Sequence, residues 1–553
     1  MKGCDEAYAG ALAGRLRRLE PSLPEAAVAV ARRVAQCTLT QKHVCLDVAK
    51  AGRGAVAGEG EAPLPTVEEL QSWVCDFPRV FGTPERDAAP LILEGSRLYL
   101  QRYYRAECRL ATSLVNRRSS VVHRDPAPLP LTPLLDASQQ KAVATILSHR
   151  LSVVTGGPGT GKTTLVCAAL MAFLQRQPEL KIVACAPTGK AQARLREAVE
   201  GGIQNPGLGT RKIAYATLHQ LLGYNPIQMT YRHSGRHPVE ADVVVLDEAS
   251  MADMMLMERL MGAIPEATRI IVLGDPRQLA AVENGSVLRD LCDAWEGHSC
   301  VATLSTSHRF GADSAMARIQ AALYAGDDDR VMSELRRTDE QFFWRETASL
   351  ADMDRAMGDL LATCDTFSTY RDAETVTEAL ARFNTFRILS ASRKGRYGVE
   401  AMNQWMMAHW GMKPYQHGYP VMVTVNDYDA NLFNGDIGLC WTDKDGVIRV
   451  YFDGAHERGV SLSQLPEHEP VFAMTVHKAQ GSGFDTVLVA LPSEPSPRDG
   501  DGFSSSLLTR ELLYTAITRA RQRCILWGDE SRIRQCCRRE TLRMSGLREK
   551  LVV

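Results

Sequence analysis

Hydrophobic positions change their spacing twice along this chain. Up to about residue 123 they recur at helical intervals: Leu12, Leu16 and Leu19 share one face, and Val28, Ala31 and Val34 another, the period expected of amphipathic helices. A Gly/Pro-rich stretch at 52–65 interrupts this segment as a flexible break. The run Leu91-Ile-Leu-Glu-Gly-Ser-Arg-Leu-Tyr-Leu100 predicts two short strands around a Gly turn, leading into a helix from 101 to 114. A mostly helical N-terminal domain over 1–123 is therefore expected. A Pro-rich break at 125–133 follows, where Pro at every second or third position favours an extended linker.

Beyond that break, short apolar runs alternate with helix-forming sequence. Residues 151–155, 181–186, 243–246 and 269–273 suit central strands buried on both faces, and the alternation predicts a parallel α/β sheet across 134–305. A second unit over 306–553 carries candidate strands at 387–390, 471–474, 486–490 and 524–527. Between them, 421–452 is rich in β-formers with turns at Asn434-Gly-Asp and Lys444-Asp-Gly, predicting a β-barrel-like insertion at about 412–468. Residues 492–506 read as a mobile loop.

At 553 residues the chain exceeds a single core and suggests three or four domains. With 45% hydrophobic and 23% charged residues it is ordinary for a soluble protein. No run of eighteen apolar residues and no secretory pattern is present, so a cytoplasmic protein without a membrane partner is expected. A formal net charge of −1 excludes a uniformly basic surface and leaves room for a local basic track. The fourteen cysteines contain no C-x-x-C pair, which favours reduced structural thiols over a metal site. The Arg15/Arg17/Arg18 and Arg117/Arg118 clusters read as solvated surface.

The chemistry concentrates at the strand tips. Gly156-Gly157-Pro158-Gly159-Thr160-Gly161-Lys162-Thr163, followed by Thr164, matches the phosphate-cradling pattern G-x-x-x-x-G-K-[ST] between a strand and a helix. Glycines let backbone N–H groups and a helix N-terminus face phosphate; Lys162 supplies a cation and Thr163 a hydroxyl for Mg2+. Asp247 and Glu248 end an apolar strand, the first placed to hold Mg2+ and the second to orient or deprotonate an attacking water. Gln278 is a candidate γ-phosphate sensor, and Arg309 and Arg519 are candidate arginine fingers. On a continuous helix, an apolar stripe of Leu513, Ile517 and Ala520 would leave Arg519 on the opposite face. Taken singly, Gln278 and both arginines are ordinary loop or surface residues.

In order, Leu135-Asp-Ala-Ser-Gln139, the loop 156–163, Ala186-Pro187-Thr188-Gly-Lys190, Ala216-Thr-Leu-His219, 246–250, 274–279, Arg309, Thr475-Val-His477-Lys-Ala-Gln-Gly481 and Tyr514-Thr-Ala-Ile-Thr-Arg519 resemble the motifs of superfamily 1 helicases. Val421-Met-Val-Thr-Val-Asn-Asp-Tyr428, Phe433-Asn-Gly-Asp-Ile-Gly438, Lys42-His-Val-Cys-Leu-Asp47 and Arg97-Leu-Tyr-Leu-Gln-Arg-Tyr103 are similar to the RecD branch. That resemblance implies two RecA-like lobes with ATP between them, an SH3-like β insertion in the second lobe, and 5′-to-3′ movement on single-stranded DNA. It implies that Gln139 reads adenine and that Pro187, Thr188, His219, Thr475 and His477 line the DNA track. It further implies action on DNA ends with RecB- and RecC-like partners, a partner supplying any nuclease. Ala479 and Gly483 stand where the family commonly has Ser and Glu, implying altered nucleotide affinity or coupling. A stand-alone helicase of the same superfamily, and an ATP-gated scaffold without motor activity, remain open.

Overall fold

The computed structural model describes residues 2–51, 63–119, 135–203, 213–311, 313–337, 339–346, 350–427, 429–453, 459–491 and 507–552. The stretches expected as breaks or loops at 125–133 and 492–506, most of 52–65, and Tyr428 lie outside the described residues.

Six short strands form one parallel sheet: β1 (Leu151–Gly156), β2 (Ile182–Ala186), β3 (Ile213–Thr217), β4 (Val243–Leu246), β5 (Arg269–Gly274) and β6 (Val301–Leu304), in the order β6-β1-β5-β4-β2-β3. β1, β2 and β4 are buried along their whole length, which is why they read as unbroken apolar runs. β3 and β6, at the sheet edges, mix buried and exposed positions and give no such signal. A second sheet, parallel in every pairing, holds β7 (Phe342–Arg345), β8 (Phe386–Ser390), β9 (Ala473–Thr475), β10 (Phe484–Ala490) and β11 (Ala520–Trp527), ordered β7-β11-β10-β8-β9. The expected architecture of two parallel α/β sheets is borne out. In each, the loops that could hold a ligand leave the carboxyl ends of the strands.

The N-terminal segment is rich in helix: Lys2–Leu19, Glu25–Leu39, Val67–Asp76 and Gln101–Arg118 surround a small sheet. Its Leu91–Glu94 and Arg97–Leu100 strands form the predicted hairpin, with Gly95 at φ 60° in the turn. Helix Gln101–Arg118 packs on helix Met254–Ala263 of the first lobe, and Tyr103, Leu110, Met257 and Leu260 belong to one continuous apolar core. The surface reading of Arg117 is corrected. It is 2% exposed, and its guanidinium donates to the carbonyls of Ile264 (2.6 Å) and Pro265 (3.0 Å) at the end of helix Met254–Ala263, satisfying acceptors that the helix leaves open.

Residues 541–552, expected with the second lobe, run back to this N-terminal core. Leu547 and Leu551 are buried in it, the Gly546 N–H donates to Glu107 Oε2 (3.0 Å), Lys550 Nζ to Glu107 Oε1 (2.9 Å), and Trp295 Nε1 to the Leu551 carbonyl (3.1 Å). The insertion is β-rich, as expected. Its strands Val460–Ser461, Ile448–Phe452, Ile437–Thr442, Pro420–Val423 and His468–Pro470 form one antiparallel sheet in that order. Among the described residues the first and last strands do not pair, a partly open arrangement that does not contradict a barrel-like insertion. Val421 and Val450 lie on one face of this sheet and Leu439 on the other, and all three belong to the apolar core that also holds Ile388 and Leu488 of the second lobe.

Candidate nucleotide and DNA site

The loop after β1 adopts the geometry its glycines allow. Gly159 and Gly161 both sit at φ 78°, the left-handed region, and Gly161 caps helix Lys162–Arg176. Close approach matters as much: a Cβ at Gly159 would lie 2.4 Å from the Arg309 Cβ, and one at Gly161 2.4 Å from the Gln139 Nε2. Lys162 Nζ donates to the carbonyls of Gly156 (2.6 Å) and Gly157 (3.2 Å). Pro158, Gly159, Thr160, Gly161, Lys162, Thr163 and Thr164 line a cavity of about 300 Å³. Gly156 and Gly157 are not part of this lining, but their carbonyls hold the Lys162 ammonium.

Asp247 and Glu248, just past β4, line the same cavity. Burial, and next the charge of Glu248, raise the Asp247 carboxyl above its ordinary value, with Lys162 acting in the opposite sense. Such a pair at a strand tip gains from a cation between or beside its oxygens, and oxygen donors of this type, with the Thr163 hydroxyl, suit a hard divalent ion. Glu248 adopts φ 50°, ψ 42°, a left-handed conformation that is uncommon for a residue with a side chain.

The far wall comes from the second sheet. Arg519 is 5% exposed; it donates to Thr515 O (3.1 Å), Ser482 O (3.1 Å) and, across the cleft, Gln278 Oε1 (3.1 Å). Its placement on the outer face of a helix is corrected: the helix Arg510–Ile517 ends at Thr518, and Arg519 sits in the turn before β11. Burial lowers its pKa, as it does that of Arg309, where Arg519 and Arg521 add to the effect. Arg309 leaves the loop after β6, on the first sheet, and its guanidinium reaches the Thr518 carbonyl (3.4 Å). Gln278, Arg309 and Arg519 all line the cavity.

Gln139, the expected base reader, packs against the phosphate loop. It is 3% exposed, sits behind the loop, and forms a capping box with Asp136 while its Nε2 donates to Thr160 O (3.0 Å). His308 is adjacent, 3.3 Å from that amide nitrogen and 2.9 Å from Asp136 Oδ2.

The DNA candidates lie at carboxyl strand ends. Pro187 and Thr188 follow β2, and Thr188 caps helix Gly189–Gly202 by accepting from the Ala191 N–H. His219 follows the neighbouring β3 and packs against Tyr224 and Tyr231, with burial lowering its pKa. Thr475 ends β9 and accepts from the Lys478 N–H (3.3 Å); His477, in the following turn, has its pKa lowered by burial and by Arg543. The 475–481 turn touches the helix that Thr188 caps, since a Cβ at Gly481 would stand 3.4 Å from the Ala191 Cβ. The turn that follows Thr475 is thus in contact, through Gly481, with the helix that Thr188 caps.

Sequence comparison decides the family. The AAA domain matches residues 134–341, and the UvrD-like helicase C-terminal domain residues 470–527. RecBCD enzyme subunit RecD of Mycolicibacterium smegmatis is 35% identical over 555 residues, covering 96% of this chain and 94% of that protein. Its counterpart in Mycobacterium tuberculosis is 36% identical over 547 residues, covering 95% of this chain and 91% of that protein. The chain belongs to the RecD family. The ATP-dependent RecD2 DNA helicase of Deinococcus radiodurans is 30% identical over 454 residues, but this match takes in 56% of that protein and 79% of this chain. The similarity to RecD subunits therefore extends into the N-terminal segment that neither domain match includes.

Within this RecD-family site, motif reading misses several residues. Arg194, Ser482 and Arg521 line the cavity, and Tyr514 donates from the second lobe to Asp275 Oδ2 in the first (2.9 Å). Arg194 has no motif around it; only its place one helical turn after Lys190 could have marked it. The two departures separate: Ala479 is fully buried beneath the site, whereas Gly483 lines the cavity beside Arg521.

Proposed function

We propose that this RecD-family chain is an ATP-dependent, 5′-to-3′ single-stranded DNA translocase and helicase. It works in the cytoplasm as one subunit of a RecBCD-type complex that processes duplex DNA ends. The observation that carries the motor reading is the Arg519–Gln278 hydrogen bond across the cleft, inside the cavity that also holds Lys162, Asp247 and Glu248. One cleft then joins a phosphate cradle on one sheet to a guanidinium from the other, the arrangement a nucleotide-driven closure needs.

In this mechanism the loop 156–163 and Lys162 bind the triphosphate. Thr163 and Asp247 would hold Mg2+, which when bound neutralises phosphate charge. Glu248 orients the attacking water and takes its proton. Arg309 and Arg519 face the charge that builds on the transferring phosphoryl group, and Gln278 registers its loss. Release loosens the Arg519–Gln278 link and so moves the 475–481 turn relative to Thr188, shifting DNA held along Pro187, Thr188, His219, Thr475 and His477.

Membership of a RecB- and RecC-like assembly rests on the family and on the N-terminal segment, whose helices carry none of the chemistry. Cutting of DNA belongs to a partner. Among the described residues no helix is long and apolar enough to cross a membrane, and none of the His, Cys, Asp and Glu groups could form a metal cluster. The decisive experiment compares unwinding of 5′- and 3′-tailed duplexes by the chain alone and with its partners. Unwinding restricted to 5′ tails, with ATP turnover stimulated by single-stranded DNA, is expected. Turnover indifferent to DNA would leave the scaffold reading instead.

A further inference from the structure

We propose that the N-terminal domain holds the candidate phosphate-sensing loop at the cleft, and that Asn284 is the positioning residue through which it does so. The inference rests on the motor reading and on Gln278 as sensor. It adds to them an input from a domain that carries no chemistry of its own.

Residues 278–285 run from the nucleotide cavity to the N-terminal domain. At the cleft end the second lobe holds them. Gln278 Oε1 accepts from Arg519 (3.1 Å), the Leu279 N–H donates to Thr515 Oγ1 (2.8 Å), and the Leu279 carbonyl accepts from Gln480 Nε2 (2.9 Å). At the other end the N-terminal domain takes over. Asn284 is 5% exposed; its Nδ2 donates to the carbonyls of Thr38 and His43 (2.7 Å each), and its Oδ1 accepts from the Tyr103 hydroxyl (3.4 Å). On either side of it, the Gly285 N–H donates to Lys42 O (3.2 Å) and Glu283 pairs with Lys42 Nζ (2.9 Å).

The groups around Asn284 explain its residue type. Thr38 lies in the last turn of helix Glu25–Leu39, where carbonyls lack partners within the helix. One amide supplies two donors for two carbonyls and an acceptor for the tyrosine. The backbone is shaped to the same contact. Gly285 takes φ 90°, and a Cβ there would stand 3.3 Å from Val44 Cγ2 and 3.2 Å from the Met254 Cβ. Lys42 takes φ 61°, a left-handed conformation that a residue with a side chain keeps only where its surroundings impose it.

The same stretch of the N-terminal domain also receives the strap from the second lobe. The Val44 N–H donates to Met544 O (2.8 Å), and the Met544 N–H to His43 Nδ1 (3.0 Å). His43 thus holds the sensor loop by its carbonyl and the strap by its ring. Between Gln278 and Asn284, Ala280 and Ala281 are buried, and close packing leaves the loop little slack to absorb a shift at either end. A displacement at Asn284 is therefore passed to Gln278.

The test measures ATP hydrolysis by the full chain at saturating single-stranded DNA, with the melting temperature alongside. Asn284→Ala should lower kcat about ten-fold and leave KM for ATP within about two-fold, the size of a coupling carried through packed residues. In a Gln278→Ala background it should lower kcat no further, although the melting temperature still falls. Leu110→Ala, which opens a cavity in the same apolar core, should lower the melting temperature and leave kcat unchanged. Tyr103→Phe removes only the hydroxyl that donates to Asn284 and decides the matter if Asn284→Ala does not fold; kcat about two-fold below the parent is expected, and no loss in the Gln278→Ala background. Parent-like kcat in Asn284→Ala, or in Tyr103→Phe where it alone folds, overturns the inference. So do losses that multiply with Gln278→Ala, or a kcat loss in Leu110→Ala equal to that of Asn284→Ala. Parent-like turnover in Gln278→Ala would instead remove the sensor, and parent turnover indifferent to DNA would remove the motor reading.

Discussion

Arg519 offers the sharpest measurement of how the two lobes communicate. Its hydrogen bonds tie together the end of its own helix, the 475–483 turn and Gln278 of the opposite lobe. Truncation to Ala removes a charge facing the transferring phosphoryl group, an effect of about 10³-fold or more on kcat, or roughly 4 kcal/mol. KM for ATP should change less than about five-fold if the charge acts mainly on the transition state. Gln278→Ala leaves the guanidinium in place but frees one side of it, for which a loss of about ten- to a hundred-fold is expected, as for other single preorganising groups. The double variant is the decisive case. Because Gln278 acts through Arg519, Arg519→Ala/Gln278→Ala should be no slower than Arg519→Ala alone, a coupling energy of about 1–3 kcal/mol. Steady-state phosphate release at saturating single-stranded DNA measures all four forms. If the two single losses multiply in the double variant, the hydrogen bond across the cleft is not the element that joins sensor and finger.

Three further outcomes are expected. Lys162→Gln should abolish ATP turnover without changing the circular dichroism spectrum; turnover that persists would remove the loop 156–163 from the active cleft. Gly189→Ala should reduce DNA-stimulated ATPase several-fold, because its Cβ would fall 2.8 Å from the Phe433 ring of the insertion and overpacking of this kind costs about 1–3 kcal/mol; adding Phe433→Ala should restore activity, and failure of that rescue would refute the contact. The third concerns pH. His43 accepts from the Met544 N–H (3.0 Å), and burial, aided by Arg543, lowers its pKa to about 4. Since the folded value lies below the ordinary 6.5, the unfolded chain takes up the proton first. Stability is therefore full above about pH 6.5 and falls by about 3 kcal/mol as pH drops toward 4. Urea midpoints of the parent and His43→Gln should converge across that window, and a constant difference would contradict the assignment.

Residues that act through local backbone patterns were legible in the sequence. The glycine loop and the carboxylates of β4 follow short apolar strands buried on both faces, where composition and position coincide. Edge strands β3 and β6 were not legible, because half-exposed positions dilute the apolar signal. Arg519 was legible as a candidate but not in its placement, since nothing in Tyr514-Thr-Ala-Ile-Thr-Arg519 signals that the Thr518 hydroxyl donates back to Thr515 O (3.0 Å) where the helix ends. Arg117 and Arg194 show the larger gap. A buried arginine and a solvated one look alike in sequence, and only the carbonyls waiting at Ile264 and Gly481 distinguish them.

The attachment of residues 541–552 to the N-terminal core has a consequence for biosynthesis. Glu107 is fully buried and its partner Lys550 lies 443 residues further along the chain. At roughly 5–20 residues per second, translation needs on the order of 20–90 s to deliver that lysine. During this interval the emerging N-terminal segment holds an acidic side chain at a site that, when finished, excludes water. It must keep that site hydrated, or hold the carboxyl protonated, until the far strap arrives. The order of synthesis thus sets a waiting time before the N-terminal core and first lobe can reach their mature packing.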